Sequence, residues 1–291
     1  MKRISRREFI QDVGMAGLAA GAISSAAVSE AAAQPRGESV EVRYEMLKPA
    51  QMVARRKAFP VAYLPIGTLE WHDEHNPLGL DALKAHGIAV ECARRGGGVV
   101  FPALFYGENR IEAQVDTQMA DEYELPKENF GQYFTPFSVA EQAAAYQHLL
   151  IHILNQIASM GFRFIIVSAG HYPLLDHGRG AMSVFRQTAR RCPHQPVTGW
   201  VFTGYELVGE QFARAGGDHA GPWETSIMMA LDPKSVDLSL VSEGVRQSGA
   251  AKEFSADYGR KAVDAIVARV LERVNDMVKN PGKYLGHYTS M

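Results

Sequence analysis

Cysteine is scarce in this chain of 291 residues: there are two, Cys92 and Cys192. Two are too few for a disulfide framework, and set far apart they lack the paired spacing of a zinc knuckle. Each lies in a stretch that reads as ordinary core or loop, and no pairing between them is expected. An excess of charge of either sign is missing as well. Lys and Arg number 30 against 32 Asp and Glu, for a net charge of −2 and a pI near 6.6. Without a basic field nothing can track a phosphate backbone, which excludes a nucleic-acid partner and points to a small molecule or peptide. Apolar content is ample: 46% of residues are hydrophobic, enough for a sizeable core in one large domain or two small ones.

The first residues read as an address. Residues 1–10, M-K-R-I-S-R-R-E-F-I, set Arg6 and Arg7 ahead of Glu8 and Phe9 and resemble the twin-arginine export signal. A modestly apolar stretch over 13–28 ends at Ala31, Ala32 and Ala33, an A-x-A exit before Gln34. Residues 1–33 are therefore expected to direct export to the periplasm and be removed, leaving a mature domain of 34–291 with no membrane insertion of its own. The plain alternatives are a chance Arg pair ahead of an Ala-rich helix, or an uncleaved anchor. Proteins on this route cross the membrane folded, so a metal can be inserted in the cytoplasm, where the cell controls the available ions.

Residues 67–81, G-T-L-E-W-H-D-E-H-N-P-L-G-L-D, place Glu70, His72, Asp73, Glu74, His75 and Asp81 directly after the apolar run Val61, Ala62, Tyr63 and Leu64. That is a strand delivering polar groups into a loop. Mixed carboxylate and imidazole suits Zn, Mn or Fe, whereas a Ca or Mg site would normally lack His and a structural zinc site would use Cys. Glu70 and His72, two apart in extended chain, point to one face. Asp81 follows Pro77 and Gly79, where the chain can turn back and offer a third ligand. The bland reading is a charged surface loop with solvated acids.

Residues 64–81 resemble the creatininase family of metal-dependent amidohydrolases, whose signature is P-x-G-[ST]-x-E-x-H-x-x-H-x-P-x-x-[TV]-D. The matching positions are Pro65, Gly67, Thr68, Glu70, His72, His75, Pro77 and Asp81, with Leu80 in place of a small residue. The resemblance implies a divalent metal centre of one or two ions, with Glu70 on one, His72 on the other and Asp81 bridging. Trp71 and Asp73 stand where the family usually has Gln and Gly, which alters the pocket floor, and Trp71 and Trp223 are expected to contact substrate. A second segment, 167–171, resembles the family's N-G-H and offers His171 as the next ligand. Two departures occur there: Ala169 stands for the Asn, and Pro173 stands where creatininase has a second-metal Glu.

A third segment, 217–226, reads G-D-H-A-G-P-W-E-T-S and resembles the family's [DE]-H-A-G-x-x-E-T-S. By resemblance His219 lies beside the substrate and moves protons, with Asp218 tuning it. Glu224 falls in the first turn of a helix, where capping alone accounts for a carboxylate. With no ligand at Pro173, it is also the candidate to complete the second metal site.

Alternation of apolar runs and helical patterns implies an α/β fold, a three-layer sandwich around a mainly parallel sheet. Strands are expected at 40–44, 61–65, 99–102, 164–168 and 197–202. Helices are expected at 48–56, 81–95 (Leu83, Gly87, Val90 and Ala93 inward), 141–160 (Leu149, Leu150, Ile153, Leu154 and Ile157), 223–231 and 255–279. The last carries the stripe Tyr258, Ala262, Ile266, Val270 and Val274, suited to packing or to a homo-oligomer contact. The acidic, aromatic-rich span 106–136 is irregular and corresponds to the family's pocket-shaping region. His86, His148, His152, His177, His194 and His287 match no ligand spacing and read as structural. The leading expectation is a periplasmic amidohydrolase that cleaves a non-peptide or cyclic C–N bond by metal-activated hydroxide, with His219 protonating the nitrogen. The rival is a catalytically silent exported binding protein, toward which Ala169 and Pro173 lean.

Overall fold

The computed structural model describes residues 40–107, 138–189, 197–212, 218–241 and 254–285. The expected export signal, most of the 106–136 span and Cys192 lie outside the described residues. The core is built on four parallel strands, β1 (Val61–Ile66), β2 (Val99–Val100), β3 (Phe164–Ala169) and β4 (Thr198–Phe202), in the order β2-β1-β3-β4. Every residue of these strands is buried. That accounts for their unbroken apolar sequences, because a parallel sheet is covered on both faces.

Side chains alternate between two apolar layers. Val61 and Tyr63, Phe164 and Ile166, and Trp200 and Phe202 enter one; Ala62, Leu64 and Ile66, Ile165 and Val167, and Val201 enter the other. The first layer is closed by α2 (Leu80–Gly96), α6 (Pro222–Leu231) and α7 (Ala256–Lys279), the second by α3 (Val139–Ser159) and α4 (Leu174–Ala189). The chain thus forms the three-layer α/β sandwich expected. The two layers follow from topology: β1 to β2 steps one way across the sheet and β2 to β3 to β4 steps the other. Right-handed crossovers then put α2 on one face and α3 and α4 on the opposite face. Between β1 and β3 the direction reverses, and their carboxyl ends splay into a crevice.

The other helices are α1 (Pro49–Ala58), α5 (Gly204–Phe212) and the short α8 (Pro281–Tyr284). Ala262, Ile266, Val270 and Val274 of α7 are fully buried in the chain's own core, each such aliphatic contributing about 1.5–3 kcal/mol apart from the small Ala. The stripe is therefore not a free contact surface. Cys92 is a free thiol in the same core, pushed up to about 12 by burial.

Several sequence expectations need correction. The strand at 40–44 reduces to one bridge, Arg43 to Val100, followed by a 3-10 turn at Tyr44–Met46. Glu41 Oε1 accepts the main-chain N–H groups of Val42 and Arg43, which a longer ladder would have used. The buried face of α2 departs from the expected one in its first half: Val90 and Ala93 are buried as expected, but Leu83 and Gly87 are half-buried, while Asp81, Lys84, Ala85, Ile88 and Cys92 are buried. On α3, Leu150, Leu154 and Ile157 are buried but Leu149 is 43% exposed. No described helix is long and apolar enough to cross a membrane.

Candidate metal centre

Four chain segments meet at the β1–β3 crevice. The loop after β1 brings Glu70 and His72, the start of α2 brings Asp81, the turn after β3 brings His171, and the first turn of α6 brings Glu224. Gly67 and Gly170, just past the two strands, allow this. A side chain on either would overlap the main chain of Asp81 and Ala82, so only glycine lets the first turn of α2 settle onto the strand ends. The Asn missing at Ala169 is not needed to hold the turn, because the N–H of Gly170 donates to the Ile66 carbonyl at 2.9 Å.

Asp81 lies at the centre. Its Oδ1 is 3.6 Å from His72 Nε2 and its Oδ2 is 3.2 Å from His171 Nδ1, so its two oxygens face two different imidazoles. Glu70 Oε2 sits 3.1 Å from His171 Nδ1 and 4.0 Å from His72 Nε2. On the far side Glu224 Oε2 is 3.5 Å from His72 Nε2. His72 Nδ1 donates to the main-chain carbonyl of Glu70 at 3.0 Å, which fixes the ring and turns Nε2 into the site.

These donors fit a metal. Bonds of about 2.0–2.2 Å at roughly right or tetrahedral angles leave donor atoms about 2.8–3.6 Å apart. Glu70, Asp81 and His171 form one such group, and His72, Asp81 and Glu224 another; Glu70, His72 and His219 form a third. Asp81 Oδ2 is buried and makes no well-formed hydrogen bond despite its nearness to His171, the state of an acceptor awaiting a cation.

Electrostatics point the same way. Burial opposes charging of His72, but the nearby carboxylates of Asp81, Glu224 and Glu70 outweigh it and raise its pKa to about 9. His171 is likewise raised to about 10, burial being overcome by Asp81 and Glu70. Burial would also raise Asp81, yet His171, His72 and Lys84 hold it well below the usual carboxylate range. The pocket is a buried field that collects cations.

The third segment divides its roles. The Asp218 carboxylate accepts the N–H groups of Trp223 at 2.6 Å and Glu224 at 3.3 Å, capping α6 from ahead of Gly221. Both oxygens of the carboxylate expected to tune His219 are thus engaged by the helix start. His219 Nε2 lies 2.5 Å from the Trp71 main-chain carbonyl, and its ring lies 4.4 Å from that of His72. Trp71 is half-buried on the loop. Trp223, expected to contact substrate, is 2% exposed, packs on Tyr205 and Phe212, and lines a small cavity beside Lys84. Pro173 precedes α4 and offers no ligand.

Residues the sequence did not single out complete the centre. Lys84, one turn beyond Asp81, is buried with Nζ 2.5 Å from Glu224 Oε1 and 3.6 Å from Asp81 Oδ1. Thr225 accepts from Asn76 Nδ2 at 2.9 Å, lies 3.1 Å from His75 Nε2 and donates to the Ala220 carbonyl at 3.0 Å, tying the metal loop to α6. Asp73 and Ala220 adopt φ values of 54° and 57°, left-handed conformations that non-glycine residues hold only when their surroundings enforce them.

Comparison with known proteins gives this geometry a context. The family model described as Creatininase: Creatinine amidohydrolase matches residues 45–274. The chain belongs to the creatininase family. A relative in Pseudomonas putida named Creatinine amidohydrolase is 26% identical over 191 residues, covering 62% of this chain and 68% of that protein. Among solved structures, one described as Creatininase Mn superposes with a TM-score of 0.62 at 22% identity, covering 83% of this chain and 99% of that one. A Glu-to-Gln creatininase variant described as Zn-Zn type matches with the same score, identity and coverage. The creatininase fold of this chain follows from these superpositions.

Proposed function

We propose that the chain is a metal-dependent amidohydrolase that cleaves a cyclic or other non-peptide C–N bond of a small molecule. The observation that carries this reading is the placement of Asp81 between His72 and His171 at the sheet's switch point, in a chain of the creatininase family. Glu70, Asp81 and His171 would hold a divalent metal, with His72 and Glu224 on its other side. When bound, such an ion supplies a Lewis acid for a carbonyl and makes water more acidic. The remaining work falls to the chain. Loop and helix exclude bulk water around the buried His72 and Asp81, and the exposed His219 exchanges a proton with the departing nitrogen. Zn, Mn or Fe suits the donor set.

The purified protein, analysed for metal and offered a panel of cyclic and linear amides, should hydrolyse at least one and lose that activity on chelation. A metal-replete protein inert to the whole panel would leave the silent binding protein, the reading that Pro173 favours. Export by the twin-arginine route is part of the proposal and rests on Arg6, Arg7 and the Ala31 to Ala33 exit. Arg6→Lys with Arg7→Lys should leave uncleaved precursor in the cytoplasm, and normal periplasmic accumulation would remove it. Self-association belongs to it too and has to use a surface other than the α7 stripe. Light scattering from a monomer at micromolar concentration would exclude it.

A further inference from the structure

We infer that Lys84 takes the place of a second metal ion, so that the centre holds one divalent cation between Glu70, Asp81 and His171, with the Lys84 ammonium as the permanent cation on the Glu224 side. The inference rests on the metal-dependent reading above.

Three observations carry it. Glu224 is satisfied without a metal: Oε1 receives Lys84 Nζ at 2.5 Å and Oε2 receives the Ala220 N–H at 3.1 Å. Glu70 and His171, by contrast, face Asp81 and each other across a gap sized for an ion, with no ammonium between them.

Lys84 is also held in place. It projects from the buried face of α2 one turn beyond Asp81, is 4% exposed, and lines a cavity of about 10 Å³ with Ser168, Thr203 and Tyr205, room for a single water. A lysine on the surface could swing away from an incoming ion; one buried along its length has no such route.

Charge decides between the two occupancies. Glu70, Asp81 and Glu224 set three negative charges against the one ammonium of Lys84, which touches Asp81 and Glu224, and one divalent cation cancels the net −2. A second would add +2 beside the Lys84 ammonium, where Pro173 supplies no carboxylate and Asp218 is already bound to the N–H groups of α6, and uncompensated buried charge is strongly disfavoured.

The test is to load the full-length protein with excess Mn²⁺, desalt it, count Mn per chain by elemental analysis and record the EPR spectrum. Wild type is expected to retain about one ion per chain with the spectrum of isolated Mn²⁺. Lys84→Met should take up a second ion and show a spin-coupled pair. Glu224→Gln should keep its single ion, since Lys84 and not the metal is the partner of Glu224; that variant and wild type decide the matter if Lys84→Met fails to fold. Two coupled ions in wild type, a single ion in folded Lys84→Met, or loss of an ion in Glu224→Gln would each overturn the inference while leaving the amidohydrolase reading in place. A wild type that retains no metal would end both.

Discussion

Gly170 sits against the carbonyl of Asp81 with no room between them for a side chain. The contact sets how far the first turn of α2 can descend toward β3, and so how near Asp81 Oδ2 comes to His171 Nδ1 on the same turn as Gly170. Gly170→Ala should force the helix away. The fold should lose about 1–3 kcal/mol, the range for overpacking a tight site, and metal affinity should fall with it. Denaturant melts and a metal titration on the same variant check both, and unchanged affinity in a destabilised protein would separate the helix position from the site.

The raised pKa values of His72 and His171 make a statement about pH. Both lie above the ordinary value of 6.5, at about 9 and about 10. A group raised on folding stabilises the protein below its unfolded pKa, and that contribution disappears as pH climbs through the folded pKa. The metal-free protein should therefore lose stability between about pH 6.5 and 10, whereas metal-loaded protein, whose ion would replace the proton on His171, should lose less. Metal binding should conversely weaken as pH falls, because protons compete for the His171 nitrogen. Thermal melts of both forms across this range decide it; a metal-free protein equally stable at pH 7 and pH 10 would contradict the assignment.

Much of this arrangement could be read along the chain because its parts are local. Glu70 and His72 are two apart after an apolar strand, and His171 follows another, so strand-end logic places all three without a structure. What could not be read was lateral. Lys84 and Glu224 are 140 positions apart, and an inward face drawn through Leu83 and Gly87 turns Lys84 outward. Following Asp81, Ala85, Ile88 and Cys92 instead puts Lys84 on the buried stripe. Helix α4 was missed because Gly178 and Gly180 interrupt its pattern; Gly178 packs on Val201 of β4, a packing reason that propensity does not contain. For Asp218 and Trp223 the motif gives adjacency to His219 and Glu224, and adjacency does not say which way a side chain turns.

Asp218 offers a clean separation of capping from catalysis. Its carboxylate holds the N–H groups of Trp223 and Glu224, and losing such a cap costs about 0.5–2 kcal/mol. Asp218→Ala should be destabilised by that amount and should lose activity as Glu224 shifts. Asp218→Asn keeps an acceptor oxygen and should recover most of both. Should Asp218→Asn prove as stable as wild type yet inactive, the charge itself is needed, and tuning of His219 would be the better account.

His219 carries the last prediction, and geometry sets its protonation. A main-chain carbonyl can only accept, so the contact of His219 Nε2 with the Trp71 carbonyl at 2.5 Å requires the proton on Nε2. In the neutral ring Nδ1 then keeps the lone pair, and it is the atom that can take a proton and return it to a leaving nitrogen. Loss of a general acid–base group typically lowers turnover by about 10²–10⁴-fold. His219→Ala should do so while metal content stays at the wild-type value, because the ion would be held by Glu70, Asp81 and His171. His219→Gln can still donate to the Trp71 carbonyl but cannot exchange a proton, so it should be as inactive as His219→Ala while keeping the loop in place. The competing role is visible in the same structure: Glu70, His72 and His219 also lie close enough to share an ion. If His219→Ala sheds its metal along with its activity, His219 is a ligand and the proton must move elsewhere.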